Sequence, residues 1–460
     1  MKKFFSIMLS AVSILAASAC CEIEDGTTDI DSWPTPMKKY DPKTYDLSGH
    51  PCMMHSADDI AFTKAHLGTQ PWAGGYEKLI SSGYCNTNHT ASPVKLLARL
   101  DAGNWGDGGG RWDEAGLRDE FYPGIHNNYT NFFRDCAAAY QLGLKWQLAG
   151  DPEAAKAAIR ILEDWAKVNQ GLILGKQGRF KDDVIDPNEY LIMFQIHQAA
   201  NAAELVRDYD NWGSSDGFKS VVNWMTTYFY PFCSKFLKMN VDNHWWMNWD
   251  LASMTAILSM GILSENQDMV NEAILHFKQG KGPGCIMGKG IIEVFDDPSG
   301  SGEQLAQGNE AGRDQGHNTL CAIILGTFCQ MANNIGEDLF SFENGRAIAF
   351  AQYVAKYNLL KEGLTSGSSD ASFKYPQSSM PFTTYDYNGG TMTVISDEGR
   401  GTERPGWDIW AGYCKAHNIQ GKYVTEMAER YRPDGGGGHY GGNSGGFDQL
   451  GFSTLMHHRE

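Results

Sequence analysis

The sequence predicts an all-α fold, an (α/α) toroid or incomplete barrel of paired antiparallel helices, in one large domain over residues 49–460. Three observations predict it. From about Asn131 onward apolar residues recur at three- and four-residue steps, the helical period. Helix-ending and helix-starting signals separate these runs at irregular spacing, with no sequence repeat of solenoid length. Strand signals are few, and no β-sandwich domain of ordinary size fits in what remains. The chain has 460 residues, 42% hydrophobic, 12% aromatic with 13 Trp, and 20% charged, so it can bury a substantial core and is not disordered.

In chain order, residues 1–19 read as a signal peptide: Lys2-Lys3, an apolar stretch from Phe4 to Ala19, and small residues Ala17-Ser18-Ala19. Its small-residue end directly before Cys20-Cys21 resembles a bacterial lipoprotein signal, with Cys20 (or Cys21) lipidated. The acidic residues Glu22, Glu24 and Asp25 resemble the export signal of surface lipoproteins. An exported outer-membrane lipoprotein, at the cell surface or the periplasmic face, is therefore expected, with a simply secreted protein as the alternative. No later stretch reaches the roughly 18 apolar residues of a membrane span, so membrane contact is expected through the anchor only. Residues 20–48, acidic and carrying Pro34, Pro36 and Pro42, read as a linker.

Phe133, Cys136, Tyr140, Leu144 and Leu148 mark a first helix, which Gly150-Asp151-Pro152 ends while capping the next, with Ile159, Leu162 and Trp165. Helical patterns follow over 189–209, 218–237, 246–263, 268–277, 313–333, 335–361 and 405–413. The best strand signal is Thr391–Ile395 after the turn Asn388-Gly389-Gly390. The glycine-rich run 435–446 lacks the ending of a phosphate-binding loop and reads as a mobile loop at a cleft rim. Of the eight later cysteines none forms a C-x-x-C pair or a His-Cys cluster at zinc spacing, so structural zinc is not expected. Cys52 with Cys85 is a candidate disulfide; Cys136, Cys321 and Cys329 fall in helical patterns as buried thiols.

A net charge of −17 argues against a nucleic-acid partner, although a few cations lining one cleft suffice for a polyanion. Two constellations carry candidate chemistry. The first is Asp242-Asn243-His244-Trp245-Trp246-Met247-Asn248-Trp249-Asp250, where His244 and Asn248 share a helix face. Its bland reading is aromatic packing around a capping Asn. The second runs from Glu303 through Gln307, Asn309, Glu310, Arg313, Asp314 and Gln315 to His317 and Asn318; a helix starting near Gly312 would place Arg313 and His317 on one face. Its bland reading is a Glu310–Arg313 surface ion pair beside a solvated His.

The run Glu310-Ala-Gly-Arg-Asp-Gln-Gly-His317 resembles the E-S-G-R-D-Q-G-H signature of the alginate lyase domain superfamily of polysaccharide lyases. The resemblance takes in His50-Pro51 to Trp72, Tyr140 to Asp151, Asn248-Trp249, Asn344-Gly-Arg346 to Leu359, Arg404 to Asp408 and Arg432 to Leu455, in order along nearly the whole mature chain. It implies an all-α toroid and cleavage of a uronate polymer, alginate (polymannuronate) or glucuronan, by β-elimination. Such an enzyme neutralises the uronate carboxylate, removes the weakly acidic C5 proton and protonates the departing O4. By resemblance, Asn243 hydrogen-bonds the carboxylate, His244 is neutraliser or base, Arg313 holds the same region, and His317 is a base or substrate contact. The tyrosine often found a few residues after that Arg is missing, since 313–330 contains none. Tyr129 is the first choice in its place, with Tyr375 and Tyr385 behind it. Asn128, Trp245, Asn248, Trp249, Glu310 and Gln315 are candidate substrate contacts. No cofactor is expected, although some lyases use calcium for neutralisation, and the protein is expected to be a monomer.

Two other classes fit the same sequence. One is a toroidal glycoside hydrolase using a pair from Glu303, Glu310, Asp314 and Asp250. The other is a surface lipoprotein that binds glycans without catalysis through its many Trp.

Overall fold

The computed structural model describes residues 38–98, 128–172, 193–243, 245–365, 369–387 and 390–460, with the backbone alone at 242 and 243. The signal peptide, Cys20 and His244 lie outside the described residues. A capping box between Ser56 and Asp59 opens α1 (Ala57–His66), and α2 (Trp72–Ile80) follows. The junction read from Gly150-Asp151-Pro152 forms as expected. Gly150, at φ +67°, ends α3 (Tyr129–Ala149) in the left-handed region, where glycine carries no steric cost. The Asp151 carboxylate accepts the Glu153 and Ala154 N–H groups at the start of α4 (Pro152–Val168).

Next come α5 (Met193–Leu205), α6 (Asp216–Trp224) and α7 (Tyr230–Asn243). A single π turn at Met225–Phe229 joins α6 to α7, so the helix expected over 218–237 extends at both ends and is interrupted within. Helices α8 (Met247–Leu263), α9 (Gln267–Gln279), α10 (Gln315–Asn334) and α11 (Phe342–Asn358) continue the series. The last of these starts later than expected, and within its first turn Glu343, Asn344 and Gly345 all have positive φ, so regular right-handed helix runs only from Arg346. The chain closes with α12 (Trp407–Ala416), α13 (Lys422–Tyr431) and the short α14 (Ser453–His457).

Burial sorts these helices into two layers. Every residue of α5 and α8 is buried, whereas α4, α6 and α13 bury one face. In the inner layer α3 packs on α5, α5 on α8, α8 on α10 and α10 on α11, while α4 backs α3 and α9 backs α8. Two antiparallel hairpins accompany them: β1 (Ile291–Asp296) with β2 (Gln304–Gly308), and β3 (Tyr385–Tyr387) with β4 (Gly390–Met392). The first was not expected; β2 lies against α11, and its buried Gln307 exchanges hydrogen bonds with the Thr383 backbone. The strand expected over 391–395 shortens to β4. Among the described residues no helix is long and apolar enough to cross a membrane.

Two expectations are corrected here. Residues 38–48 are packed rather than loose: Tyr40 and Lys43 pair with Gln279, Glu343, Asn271 and Glu337, and Tyr45 and Leu47 are buried. Cys52 and Cys85 do not form a disulfide; their thiols face the carbonyls of Leu47 and Gln141, and both remain free and buried.

Three buried histidines give the fold an acid sensitivity. His55 Nε2 shares a hydrogen bond with Tyr140 Oη at 2.7 Å and its ring stacks on His457, while His197 is enclosed within α5. Burial pushes His55 down to about 4 and His197 to about 3, and burial together with the His55 and Arg459 charges pushes His457 well below its ordinary value. The unfolded chain therefore binds more protons as pH falls below about 6.5, so stability is full above that pH and is lost progressively toward the folded values. The expected result is a denaturant midpoint that falls between about pH 6.5 and 4, with a shallower fall in His197→Gln; an unchanged slope in that variant would discard the assignment.

Candidate active site

The site is built at the start of α10. Asp314 is its N-cap, so the helix begins at Gln315 and Arg313 lies in the preceding turn, not on the same helix face as His317. One Asp314 oxygen accepts the His317 backbone N–H at 2.8 Å and the other accepts from His317 Nδ1 at 2.6 Å. Burial raises the Asp314 carboxyl, but the hydrogen bonds and charge of His317, with the Arg313 charge, outweigh it and hold the group below the usual carboxylate range. The imidazole is thereby held in one orientation.

The turn carrying Arg313 is fixed from below. Tyr385 Oη donates to the Asn309 carbonyl at 2.7 Å and accepts the Gly312 N–H at 3.0 Å. A side chain at Gly312 would collide with Met392 and Tyr385, so the close approach requires glycine. Glu310 is 0% exposed; one oxygen accepts from Asn248 Nδ2 at 2.5 Å and the other from Arg313 at 3.2 Å. The Arg313 guanidinium also lies 4.8 Å from the centre of the Trp246 ring, which packs on Tyr387.

A cavity of about 280 Å³ opens beside this cluster, lined by Tyr129, Phe194, Asn248, Asp314, His317, Leu320, Arg404, Asn443, Ser444 and Asp448 among others. Tyr129 opens α3, and its hydroxyl donates to Gln195 Oε1; Gln195 Nε2 donates to Asp448 Oδ1 at 3.2 Å, and Asp448 faces Arg404 at 3.6 Å. Asn248 is buried, and its Oδ1 has no hydrogen-bond partner among the described residues. Because the Glu310 carboxylate only accepts, the Asn248 amide must turn its NH₂ toward it, and Oδ1 remains to accept from something else.

The glycine-rich run closes one side as a packed lip. Gly436 bridges to Gly451, Gly437 sits against Ala137 and Phe447, and Gly438, at φ +95°, sits against Tyr84. The buried Asp434 at its root accepts from Ser453 and Thr454. The cleft-rim reading holds through Asn443, Ser444 and Gly445, but the root of the run is buried.

The expected site residues therefore separate. Tyr129, Asn248 and His317 line one cavity, and Arg313 joins them through Glu310. Glu310 itself and Gln315 are buried and bonded within the protein, Gln315 to Asn318, Asn358 and Ala311, so they position other groups instead of touching substrate. Asn128 is spent on the 96–98 backbone, directly beneath Tyr129. Trp245 and Trp249, the candidate substrate contacts of the first constellation, pack with Phe236 and each other. Tyr375 bonds Glu426 and Tyr385 bonds backbone, leaving Tyr129 as the one of the three candidates on the cavity.

His244 lies outside the described residues, as does the Asn243 side chain. The chain around them is pinned: Asn240 holds the Trp245 N–H at 2.7 Å and Asp250 at 2.5 Å, and Tyr387 donates to the Trp245 carbonyl. Of the four hydrolase carboxylates, Asp250 is fully buried with His276 and the Gly284 N–H, Glu303 accepts from the Lys422 N–H, and Glu310 is enclosed. Asp314 alone of them reaches the cavity. Sequence reasoning assigned no role to Trp246, Gln195, Arg404 or Asp448, although Trp246, Arg404 and Asp448 stand in stretches quoted for the first constellation or the resemblance.

The family model for alginate lyase matches residues 119–362. Among solved structures, an apo variant of alginate lyase A1-III with one histidine replaced by alanine is similar at 15% identity, covering 89% of this chain and 96% of that one with a TM-score of 0.52. Alginate lyase A1-III from Sphingomonas species A1 is similar at 16% identity, over 66% of this chain and 77% of that one, with a TM-score of 0.43. No curated protein matches by sequence. The first of these two structures shares the fold over most of both chains.

Proposed function

Because the chain belongs to the alginate lyase family and is a polysaccharide lyase, we propose that it cleaves a β-linked uronate polymer, alginate in its mannuronate form, by β-elimination. The observation that carries this reading is the convergence of Tyr129, Asn248 and His317 on one cavity beside an Arg313 fixed by buried Glu310. Arg313, with Asn243 and His244, neutralises the carboxylate and so acidifies C5. His317, oriented by Asp314, takes the C5 proton, with His244 as the other candidate base. The C5–H electron pair forms the C4=C5 bond, the C4–O4 bond breaks, and Tyr129 supplies the proton to O4. The unpartnered Asn248 Oδ1 accepts from a sugar hydroxyl.

In this reading Arg313 supplies the positive charge that calcium supplies in some lyases, and the helices close into a toroid around the cleft. The chain acts as a monomer, exported and held to the outer membrane by lipid on Cys20; metabolic palmitate labelling lost in a Cys20→Ser variant is the expected check on the anchor.

The deciding experiment incubates the mature protein with polymannuronate, polyguluronate and glucuronan, with and without chelator, and follows the ultraviolet absorbance of the new double bond. A rise on polymannuronate that chelator does not diminish is expected. A rise on glucuronan alone would replace the substrate, and new reducing ends without absorbance would replace elimination by hydrolysis.

A further inference from the structure

A second cluster of reactive side chains lies apart from the cavity. His50 and Cys52 flank Pro51 ahead of α1, and Glu204 meets them from the last turn of α5. Glu204 is nine residues beyond Gln195 on that helix, roughly 14 Å along its axis from the cavity end. His50 Nδ1 lies 2.8 Å from Glu204 Oε1 and 3.7 Å from Cys52 Sγ. One donor atom from each of the three falls within 4.8 Å of the others. His50 Nε2 in turn faces Glu265 Oε1 at 3.3 Å.

The hydrogen bonding here is incomplete. Glu204 is 3% exposed; its Oε1 also accepts the Cys52 N–H at 2.9 Å. Its Oε2 is buried without a hydrogen-bond partner among the described residues, with the Arg207 guanidinium no nearer than 4.0 Å. A neutral imidazole carries one N–H and can satisfy only one of these two carboxylates: donating from Nδ1 to Glu204 leaves the Nε2 lone pair facing Glu265, and donating from Nε2 leaves the Nδ1 lone pair facing Glu204. A positive charge between them resolves the clash. A second proton on His50 would serve Oε1 alone, whereas a metal ion would draw on Nδ1, Sγ and the carboxylate together. A carboxylate on the far ring nitrogen is also the usual way a metal-bound histidine is oriented.

We propose that His50, Cys52 and Glu204 bind a divalent transition-metal ion, zinc by the chemistry of its donors, with Glu265 orienting His50. Sulfur, nitrogen and carboxylate donors in a tetrahedral set completed by water suit zinc, and the part-exposed His50 gives it an approach. The ion clasps the N-terminal segment to the end of α5 and, through Glu265, to the α8–α9 turn. The ion binds the Cys52 thiolate, so binding displaces the thiol proton. The site escapes spacing rules because Glu204 is 152 residues from Cys52.

The test strips the mature protein with chelator and titrates it with Co²⁺ and then Zn²⁺. One equivalent of Co²⁺ is expected to give a thiolate-to-cobalt charge-transfer band that Zn²⁺ abolishes while raising Tm. Cys52→Ser is expected to lose the band, and Glu204→Gln to weaken Zn²⁺ at least about tenfold, with both variants keeping lyase turnover. No band, a band that persists in Cys52→Ser, or a Tm unmoved by Zn²⁺ would overturn the proposal. So would an imidazolium signal from His50 that survives saturation with Zn²⁺.

Discussion

Arg313→Ala is expected to lower kcat/KM on the preferred polymer by about 10²–10³-fold, the range found when one preorganised charge-stabilising donor is removed. The guanidinium is held on three sides: one edge on Glu310, one face on Trp246, and Asp314 at 3.5 Å. Such a group is already in place before the enolate charge develops. The same substitution strips the buried Glu310 of its cation, leaving a carboxylate held by the Asn248 amide, so a fall in Tm should accompany the loss of rate. Arg313→Lys separates the two effects. It keeps a charge near Glu310 and should recover stability, but it lacks the planar fork and should recover little activity. Activity of Arg313→Ala within about threefold of wild type, with the circular dichroism unchanged, would remove Arg313 from the mechanism while leaving the family intact.

Tyr129→Phe is the cleaner substitution, because it removes one oxygen and preserves the ring packed against Phe133. A loss of about 10²–10⁴-fold in kcat is expected for a general acid. The structural cost is small, roughly 1 kcal/mol for the bond to Gln195. If Tyr129 and His317 act in one concerted step, the double variant with His317→Ala should be little worse than either single one. Additive losses, or a Tyr129→Phe enzyme that turns over normally, would send the search for the acid elsewhere, to His244 first.

Local signals are legible where they are self-contained. Gly150, Asp151 and Pro152 carry their own instructions, and the observed junction follows them. The start of α10 shows where that reasoning stops. Asp314 can cap a helix, but its carboxylate also binds the His317 ring, and the glycine two positions earlier offers a competing start. Starting from that glycine puts Arg313 and His317 on one face, whereas they reach the site from a turn and a helix. The first hairpin is hidden for a different reason: β2 contains buried Gln307, whose polarity disguises an inward-facing position until its partner Thr383 is known. Among the tryptophans, helix phase decides the roles. With α8 starting at Met247, Trp249 turns toward Phe236, where Trp245 also packs, and Trp246 is left under Arg313. Residues that meet only through the fold, such as Tyr129 with Gln195 and Asp448, leave no spacing to detect.

The glycine-built lip bears on how this enzyme can diverge. Along 435–438 the backbone itself is the packing surface, and a Cβ at Gly436, Gly437 or Gly438 would strike Phe452, Phe447 or Tyr84. Point substitutions there should fail as folding mutants before they alter substrate preference, so saturation libraries at these glycines ought to be depleted of active clones. New specificity is more accessible through exchanges at Asn443 and Ser444, which line the cavity, or through changes in loop length that move the whole wall at once.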